Sequence, residues 1–172
     1  NTEFYSNDFP FYKPTDLEAG NNVIKSNDGL SKLGINKARY VPEFSTLVTC
    51  IGATIGKTGF IKRGGGFNQQ INAIIPNELV VHKFVYYQAI SPKFQDQIKE
   101  NASATTLPIL NKGRFEILEM IICPKTEQQR IVSEIESRLS VCDKIEESIN
   151  TALKQAEALR QSILKKAFEG KL

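Results

Sequence analysis

Residues 127–172 have the sequence EQQRIVSEIESRLSVCDKIEESINTALKQAEALRQSILKKAFEGKL, in which an apolar side chain recurs every three or four positions. Between positions 142 and 163 the spacing is a strict heptad, and no glycine or proline interrupts the pattern before Gly170. This periodicity is typical of one long amphipathic α-helix, and at about 1.5 Å per residue it would extend roughly 60 Å. Because such a helix has an apolar stripe along its length, we expect it to pair with another helix. The predicted pairing residues are Ile135, Cys142, Ile145, Ile149, Ala156, Leu159 and Ile163.

Both ends of this helix are marked in the sequence. Thr126 and Gln129 have the spacing of a capping box, which would satisfy backbone N–H groups of the first turn. Glu127 adds a negative charge where the helix dipole favours one. At the other end a basic pair at positions 165–166 precedes Gly170, the residue type that most often terminates a helix. We therefore predict a helix with two specified ends.

The chain is predicted to contain two domains, a globular domain over residues 1–124 and the long helix over residues 125–172. Of its 172 residues 41% are hydrophobic and 24% are charged, which suffices for one core. Short apolar runs predict strands at residues 9–12, 47–51, 58–62, 71–75 and 117–123. The remaining predicted elements are a loop with a short helix at residues 20–40, a glycine turn at residues 64–66 and a helix at residues 79–101. The predicted class is α+β, with short twisted strands and a few helices before one long coiled-coil-forming helix.

Composition excludes several classes of protein. No apolar run approaches the roughly 18 residues that cross a membrane, and no signal-peptide pattern opens the sequence. Cys50, Cys123 and Cys142 are far apart and lack metal-ligand spacing, so we expect reduced thiols, no metal site and a cytoplasmic location. Because the sequence begins at Asn1 rather than at a methionine, we expect a fragment or an ordered portion of a longer protein.

Positive charge is concentrated in one part of the globular domain. Residues 25–63 contain seven basic and two acidic residues, and residues 44–77 contain no acidic residue. Such a stretch is what a surface that faces phosphates requires. A solvated face with an uneven charge distribution explains the same pattern equally well.

The segment GATIGKT at residues 52–58 is similar to a nucleotide-binding phosphate loop, but only three residues separate its glycines instead of four. The residues that follow favour an extended strand, so no helix N-terminus is predicted to receive a phosphate. We reject nucleotide hydrolysis on these grounds. Lys57 remains a candidate for contacting a DNA phosphate, although a tight strand-to-strand turn accounts for the glycines as well.

Catalytic constellations are missing from the sequence. The one histidine, His82, is predicted near the start of a helix, and no nucleophile, metalloprotease or methyltransferase motif accompanies it. We therefore expect a protein that is not an enzyme and that needs no cofactor.

The run NQQIN at residues 68–72 lies close to the basic pair Lys62 and Arg63. Side-chain amides pair with adenine edges, and basic side chains suit phosphate or guanine. The alternative is that these amides satisfy backbone groups around a glycine-rich turn. The candidate DNA-contacting residues are Lys13, Lys57, Lys62, Arg63, Asn68, Gln69, Gln70 and Arg114.

Several sequence blocks together resemble one family. They are FPFYK at 9–13 with Asp16 and Leu17, GATIGK at 52–57, NQQINAI at 68–74, LPIL at 107–110, Pro124 followed by EQQRIV at 127–132, and ILKKAFEGKL at 163–172. In this order they resemble the DNA-specificity subunit of type I restriction-modification systems over essentially the whole chain. That subunit has two target recognition domains and two long antiparallel helices, so the chain resembles half a subunit.

The resemblance implies a function without chemistry of its own. Each recognition domain would bind one half of a split double-stranded DNA target, and the paired helices would set the distance between the halves. The helices would also dock methyltransferase subunits, and a restriction-translocation subunit would join the assembly. A lone unit would pair through its long helix with a second copy, or with the second half of the same subunit.

Two alternatives remain open at the level of sequence. One is a coiled-coil interaction module that does not bind DNA. The other is a small nucleotide-binding enzyme that uses the loop from Gly52 to Thr58, against which the short glycine spacing argues.

Overall fold

The computed structural model describes residues 2–103 and 106–171. Contacts divide the chain into two compact units, Asn1–Gln129 and Arg130–Leu172. The strands are β1 (Tyr5–Tyr12), β2 (Asp28–Leu30), β3 (Arg39–Val41), β4 (Thr46–Thr49), β5 (Thr58–Phe60), β6 (Gly65–Phe67) and β7 (Ile71–Ile74). The α-helices are α1 (Lys32–Ile35), α2 (His82–Ala89), α3 (Pro92–Asn101), α4 (Lys112–Glu116) and α5 (Lys125–Phe168), and two short 3-10 helices lie at Thr2–Phe4 and Asp16–Asn22.

The strands of the first unit form two small sheets, which confirms the predicted α+β class. The four-stranded sheet has the order β2-β1-β6-β3, with β1 and β6 parallel and the other pairs antiparallel. The three-stranded sheet has the order β5-β4-β7 and is antiparallel. The residues between β6 and β7 connect the two sheets.

Two apolar clusters hold this unit together. One joins the sheets through side chains such as Tyr12, Leu47 and Ile61, all fully buried. The other packs Val48 of β4 against Ile98 of α3. Strands β4 and β5 are buried at every position, because the two sheets and the helices cover them.

The predicted glycine turn at residues 64–66 was wrong, because Gly65 and Gly66 belong to strand β6. A Cβ atom at Gly65 would collide with the backbone carbonyl of Pro10 in the neighbouring β1. Glycine is therefore required here for the close approach of two strands and not for a turn.

The predicted single helix at residues 79–101 was also wrong, because two separate helices, α2 and α3, form there instead. Pro92 occupies the first turn of α3, where its missing N–H costs nothing. Ser91 caps this helix by accepting a hydrogen bond from the backbone N–H of Phe94.

The predicted strand at residues 117–123 does not form, because side chains take the place of a neighbouring strand. Gln97 accepts a hydrogen bond from the N–H of Glu119 at 2.8 Å and donates one to the carbonyl of Glu119 at 3.0 Å. Gln88 makes the same two bonds to Ile121, at 2.8 and 2.7 Å. Each glutamine thus satisfies one residue of the segment, as a paired strand would.

Helix α5 begins at Lys125, and the predicted capping box, which would begin the helix at Glu127, was wrong. Because α5 starts at Lys125, Thr126 lies inside its first turn, and the carbonyl of Pro124 accepts the N–H groups of Glu127 and Gln128. The glutamine that makes hydrogen bonds at the start of α5 is Gln128, and not Gln129. It is fully buried (0% exposed), accepts the N–H of Val81 and donates to the carbonyl of Cys123, both at 2.7 Å.

The C-terminal end of α5 confirms the predicted glycine stop. Gly170 has a φ of 65°, and its N–H donates to the carbonyl of Ala167. The N–H of Lys171 donates to the carbonyl of Lys166, which completes a Schellman motif. A basic pair occupies the last turn, as predicted.

The 44-residue helix α5 exposes its apolar stripe. Residues 137–171 are exposed throughout, and Ile149 and Ile163 keep 54% and 47% of their surface. Among the residues that the structure describes, no helix combines the length and the apolarity that a membrane crossing requires.

Candidate nucleic-acid interface

The loop at residues 52–58 runs into strand β5 and not into a helix, as its sequence predicted. Lys57, at its end, forms an ion pair with Glu18, with 2.8 Å between Nζ and Oε1. The hydrogen bond from Lys57 lowers the pKa of the Glu18 carboxyl below its ordinary value. The charge of Lys57 is therefore largely neutralised within the protein.

Lys13 also forms an ion pair within the protein. Its Nζ lies 2.6 Å from a carboxylate oxygen of Asp28, and this hydrogen bond raises the pKa of Lys13. A lysine that already pairs with a carboxylate must lose that partner before it binds a phosphate. Lys13 and Lys57 thus contribute less free positive charge than the sequence suggested.

The other basic candidates are scattered over the first unit. Arg63 donates to the backbone carbonyl of Asp8, and the buried Tyr12 donates to the carbonyl of Arg63 at 2.7 Å. Burial raises the pKa of that Tyr12 hydroxyl to about 12. Lys62 lies over the ring of Phe60, 4.6 Å from its centroid. Arg114, on α4, donates to the carbonyl of Asn101 at 3.1 Å.

The three candidate amides have different roles. Asn68 donates to the side chain of Gln70 at 2.9 Å and accepts the backbone N–H of Gln70 at 3.1 Å. Asn68 and Gln70 thus stabilise the turn between β6 and β7. This arrangement resembles the alternative in which the amides satisfy backbone groups of a turn. Gln69 lies at the tip of that turn, and its side chain is exposed without a hydrogen-bond partner among the described residues. Of the three amides, Gln69 is the one whose whole side chain is free to contact a ligand.

Gln69 borders an open cleft of about 550 Å³ in the first unit. Aromatic side chains form part of its wall: Phe4, Tyr5, Phe11 and Phe67. Lys37 and Arg39 lie on the same wall. A cleft with aromatic, cationic and amide side chains has the groups that contact bases and phosphates. We call it the β3–β6 cleft.

Arg39 is the cation of the β3–β6 cleft that makes contacts within the described protein. Its guanidinium lies over the ring of Phe67, 4.6 Å from the centroid, and donates to the backbone carbonyl of Asn68 at 2.7 Å. The same carbonyl accepts the N–H of Ile71 and closes the turn that presents Gln69. The turn that carries Gln69 therefore also accepts the hydrogen bond from the guanidinium of Arg39.

Sequence reasoning missed Lys37 and Arg39 as individual site residues, although both belong to the basic stretch that it identified. Lys25, Lys32 and Lys37 are exposed cations without an ion-pair partner in the part of the chain that the structure describes. Lys25 lines a smaller depression of about 170 Å³ together with Arg63. Residues 25–39 of the first unit thus carry several cations whose charge no carboxylate pairs in the described part of the chain.

The described residues give little support for a metal site or a reactive nucleophile at this surface. Within residues 2–103 and 106–171, no three histidine, cysteine or acidic side chains group as metal ligands would. Burial raises the pKa of the Cys50 thiol to about 11, which makes it a poor nucleophile. The fold is a small α+β domain with a cationic cleft, followed by an amphipathic helix.

The chain belongs to the family of type I restriction modification DNA specificity domains, whose family model matches residues 3–155. It is 35% identical over 148 residues to the type I restriction enzyme HindI specificity subunit of Haemophilus influenzae, covering 81% of this chain and 32% of that protein. It is 32% identical over 143 residues to the type I restriction enzyme EcoBI specificity subunit of Escherichia coli, covering 79% and 29%. The chain therefore spans about a third of the length of these relatives.

The fold has a counterpart among solved structures. A chain from work described as the structural basis underlying complex assembly and conformational transition of the type I R-M system superimposes with a TM-score of 0.75. The match covers 100% of this chain and 42% of that chain at 18% sequence identity. At this identity the likeness concerns the fold alone.

Proposed function

We propose that this chain is the DNA-recognising half of a specificity subunit of a type I restriction-modification enzyme. Its first unit binds one half of a bipartite duplex target, and α5 is the spacer and assembly arm. The observation on which the proposal depends is the β3–β6 cleft, with Arg39 and Gln69 held at one turn, in a chain that belongs to a DNA specificity family.

The division of labour follows from the same proposal. The residues 1–124 recognise DNA, and residues 125–172 dock methyltransferase subunits, to which a restriction-translocation subunit is added. The chain itself performs no catalysis and works in the cytoplasm, where these partners meet DNA. Whether it acts as a natural half-size subunit or as part of a longer one, α5 needs a second helix of its own kind.

Charge along α5 favours an antiparallel arrangement of two such helices. Residues 125–150 contain six acidic and four basic side chains, whereas residues 151–171 contain two acidic and five basic ones. Antiparallel pairing places the acidic half of each helix beside the basic half of its mate, and parallel pairing places like charges together.

The heptad also supplies a register for this arrangement. In antiparallel coiled coils an a position faces a d position of the partner helix. The pairs Cys142–Leu159, Ile145–Ala156 and Ile149–Ala152 all share one midpoint, between positions 150 and 151. A single two-fold axis at that midpoint therefore matches every one of these layers.

Cysteine cross-linking tests the orientation of the helices. In the antiparallel register the two copies of Cys142 are separated by roughly 25 Å along the axis, too far for a disulfide. We expect no cross-link through Cys142 under mild oxidation in a Cys123→Ser background, and a nearly complete cross-link after Leu159→Cys is added, by non-reducing electrophoresis. A strong cross-link through Cys142 alone would instead indicate parallel helices.

Salt dependence tests DNA binding by the first unit. Each lysine–phosphate contact contributes about 0.9 to the slope of log affinity against log salt. Replacing Lys25 and Lys37 by alanine should flatten that slope by about one to two units on duplexes of random sequence, measured by fluorescence anisotropy.

The control for this experiment is the double variant Lys144→Ala, Lys154→Ala, which removes the same charge from the outer face of α5. If both double variants flatten the salt slope equally, Lys25 and Lys37 are not specific phosphate contacts. If the unmodified chain fails to bind random duplex even at low salt, DNA recognition is rejected and the interaction-module alternative is favoured.

A further inference from the structure

The β3–β6 cleft contains a cation whose guanidinium is held in place before any ligand binds, and an amide that a hydrogen-bonded turn presents beside it. Arg39 has five N–H donors, and the described residues engage one of them, through the carbonyl of Asn68. Stacking on Phe67 restrains the plane of the guanidinium. The arginine therefore needs little further ordering to bind a planar acceptor pair.

Gln69 provides the complementary chemistry at the same turn. Its side chain is exposed, while the Asn68 side chain bonds both the side-chain oxygen and the backbone N–H of Gln70. The turn is closed by the hydrogen bond between the N–H of Ile71 and the carbonyl of Asn68, at 3.3 Å. Gln69 thus extends a donor and an acceptor from a structurally restrained backbone.

These two side chains match two different base edges. A guanidinium forms two hydrogen bonds with O6 and N7 of guanine, and a glutamine amide forms two with N6 and N7 of adenine. Both pairs are available only in the major groove. Other basic residues of the first unit, such as Lys13 and Lys57, are paired with carboxylates and are suited to electrostatic contact at most.

We propose that Arg39 and Gln69 are specificity-determining residues that contact a guanine and a nearby adenine in the major groove of the target half-site. This inference rests on the proposed DNA binding and deepens it, because it assigns base recognition to one turn. Lys25 and Lys37 then contribute contacts to the phosphates that are independent of sequence.

The test is selection of bound duplexes from a randomised pool by the full chain and its variants, followed by sequencing. The unmodified chain should enrich a half-site with a guanine and an adenine close together. Arg39→Lys retains the charge but not the bidentate geometry, and should reduce the preference for that guanine by about tenfold to a hundredfold. Gln69→Ala should reduce the adenine preference by a similar factor and leave the guanine preference intact.

Matched controls separate base recognition from folding and from general DNA binding. Arg160→Lys and Gln129→Ala make the same chemical changes at exposed positions of α5, outside the cleft, and should retain the original half-site. The affinity of Arg39→Lys for random duplex, and its salt slope, should stay within a factor of about two of the unmodified chain, because the charge is preserved.

The proposal is overturned if Arg39→Lys and Gln69→Ala retain the unmodified preference at every position, or if the chain binds duplex DNA but enriches no sequence. Either result leaves DNA binding itself standing. Absence of any duplex binding by the unmodified chain would reject the proposed function and this inference together.

Discussion

Gln128→Leu is expected to lower the free energy of unfolding of the first unit by about 1–4 kcal/mol, because two partly buried backbone groups lose their partner at once. The N–H of Val81 and the carbonyl of Cys123 each bond to the Gln128 amide at 2.7 Å. Leucine has a similar volume but neither a donor nor an acceptor, and no water reaches a side chain that is 0% exposed. Urea unfolding followed by circular dichroism measures the change.

Gln129→Leu is the matched control. Gln129 is the next residue along α5, is exposed, and has no hydrogen-bond partner among the described residues. It should change the unfolding free energy by less than about 0.5 kcal/mol. Equal effects of the two substitutions would show that the Gln128 hydrogen bonds do not stabilise the start of α5.

The contrast between these two glutamines illustrates what the sequence could predict. The long helix was predictable because its periodicity and its Gly170 stop are local features of the sequence. Its start was misassigned, because the spacing of Thr126 and Gln129 satisfied a local rule while the contact of Gln128 with Val81 joins residues 47 positions apart.

The same distinction explains the wrongly predicted strand at residues 117–123. Its short apolar run is typical of a strand, and the segment does require partners for its backbone. Those partners are the side chains of Gln88 and Gln97, which lie 33 and 22 residues earlier in the sequence. No local pattern identifies a glutamine as a substitute for a strand.

For the candidate site, the sequence drew attention to the region that forms the β3–β6 cleft but did not single out Arg39. It identified the basic stretch and the amide run, both of which border the β3–β6 cleft. It could not foresee that Asp28 and Glu18 would neutralise Lys13 and Lys57, because those ion pairs depend on the fold. Arg39 stands out only once Phe67 and Asn68 are placed beside it.

Ile149→Asp is expected to weaken self-association of the chain by roughly a hundredfold or more, since pairing would bury an aspartate from each helix near the centre of the apolar stripe. Ile149 is 54% exposed in the single chain and lies next to the proposed two-fold axis. Sedimentation equilibrium at micromolar concentration should show a dimer for the unmodified chain and a monomer for the variant.

The informative comparison is with Gln161→Asp, which also replaces a neutral side chain of α5 by aspartate but at the heptad position opposite the stripe. Both substitutions change the net charge of the chain equally, so a large difference in association isolates burial of the stripe. A dimer that survives Ile149→Asp would mean that α5 does not pair through this face. A strictly monomeric unmodified chain would mean that it needs a different helix as its mate.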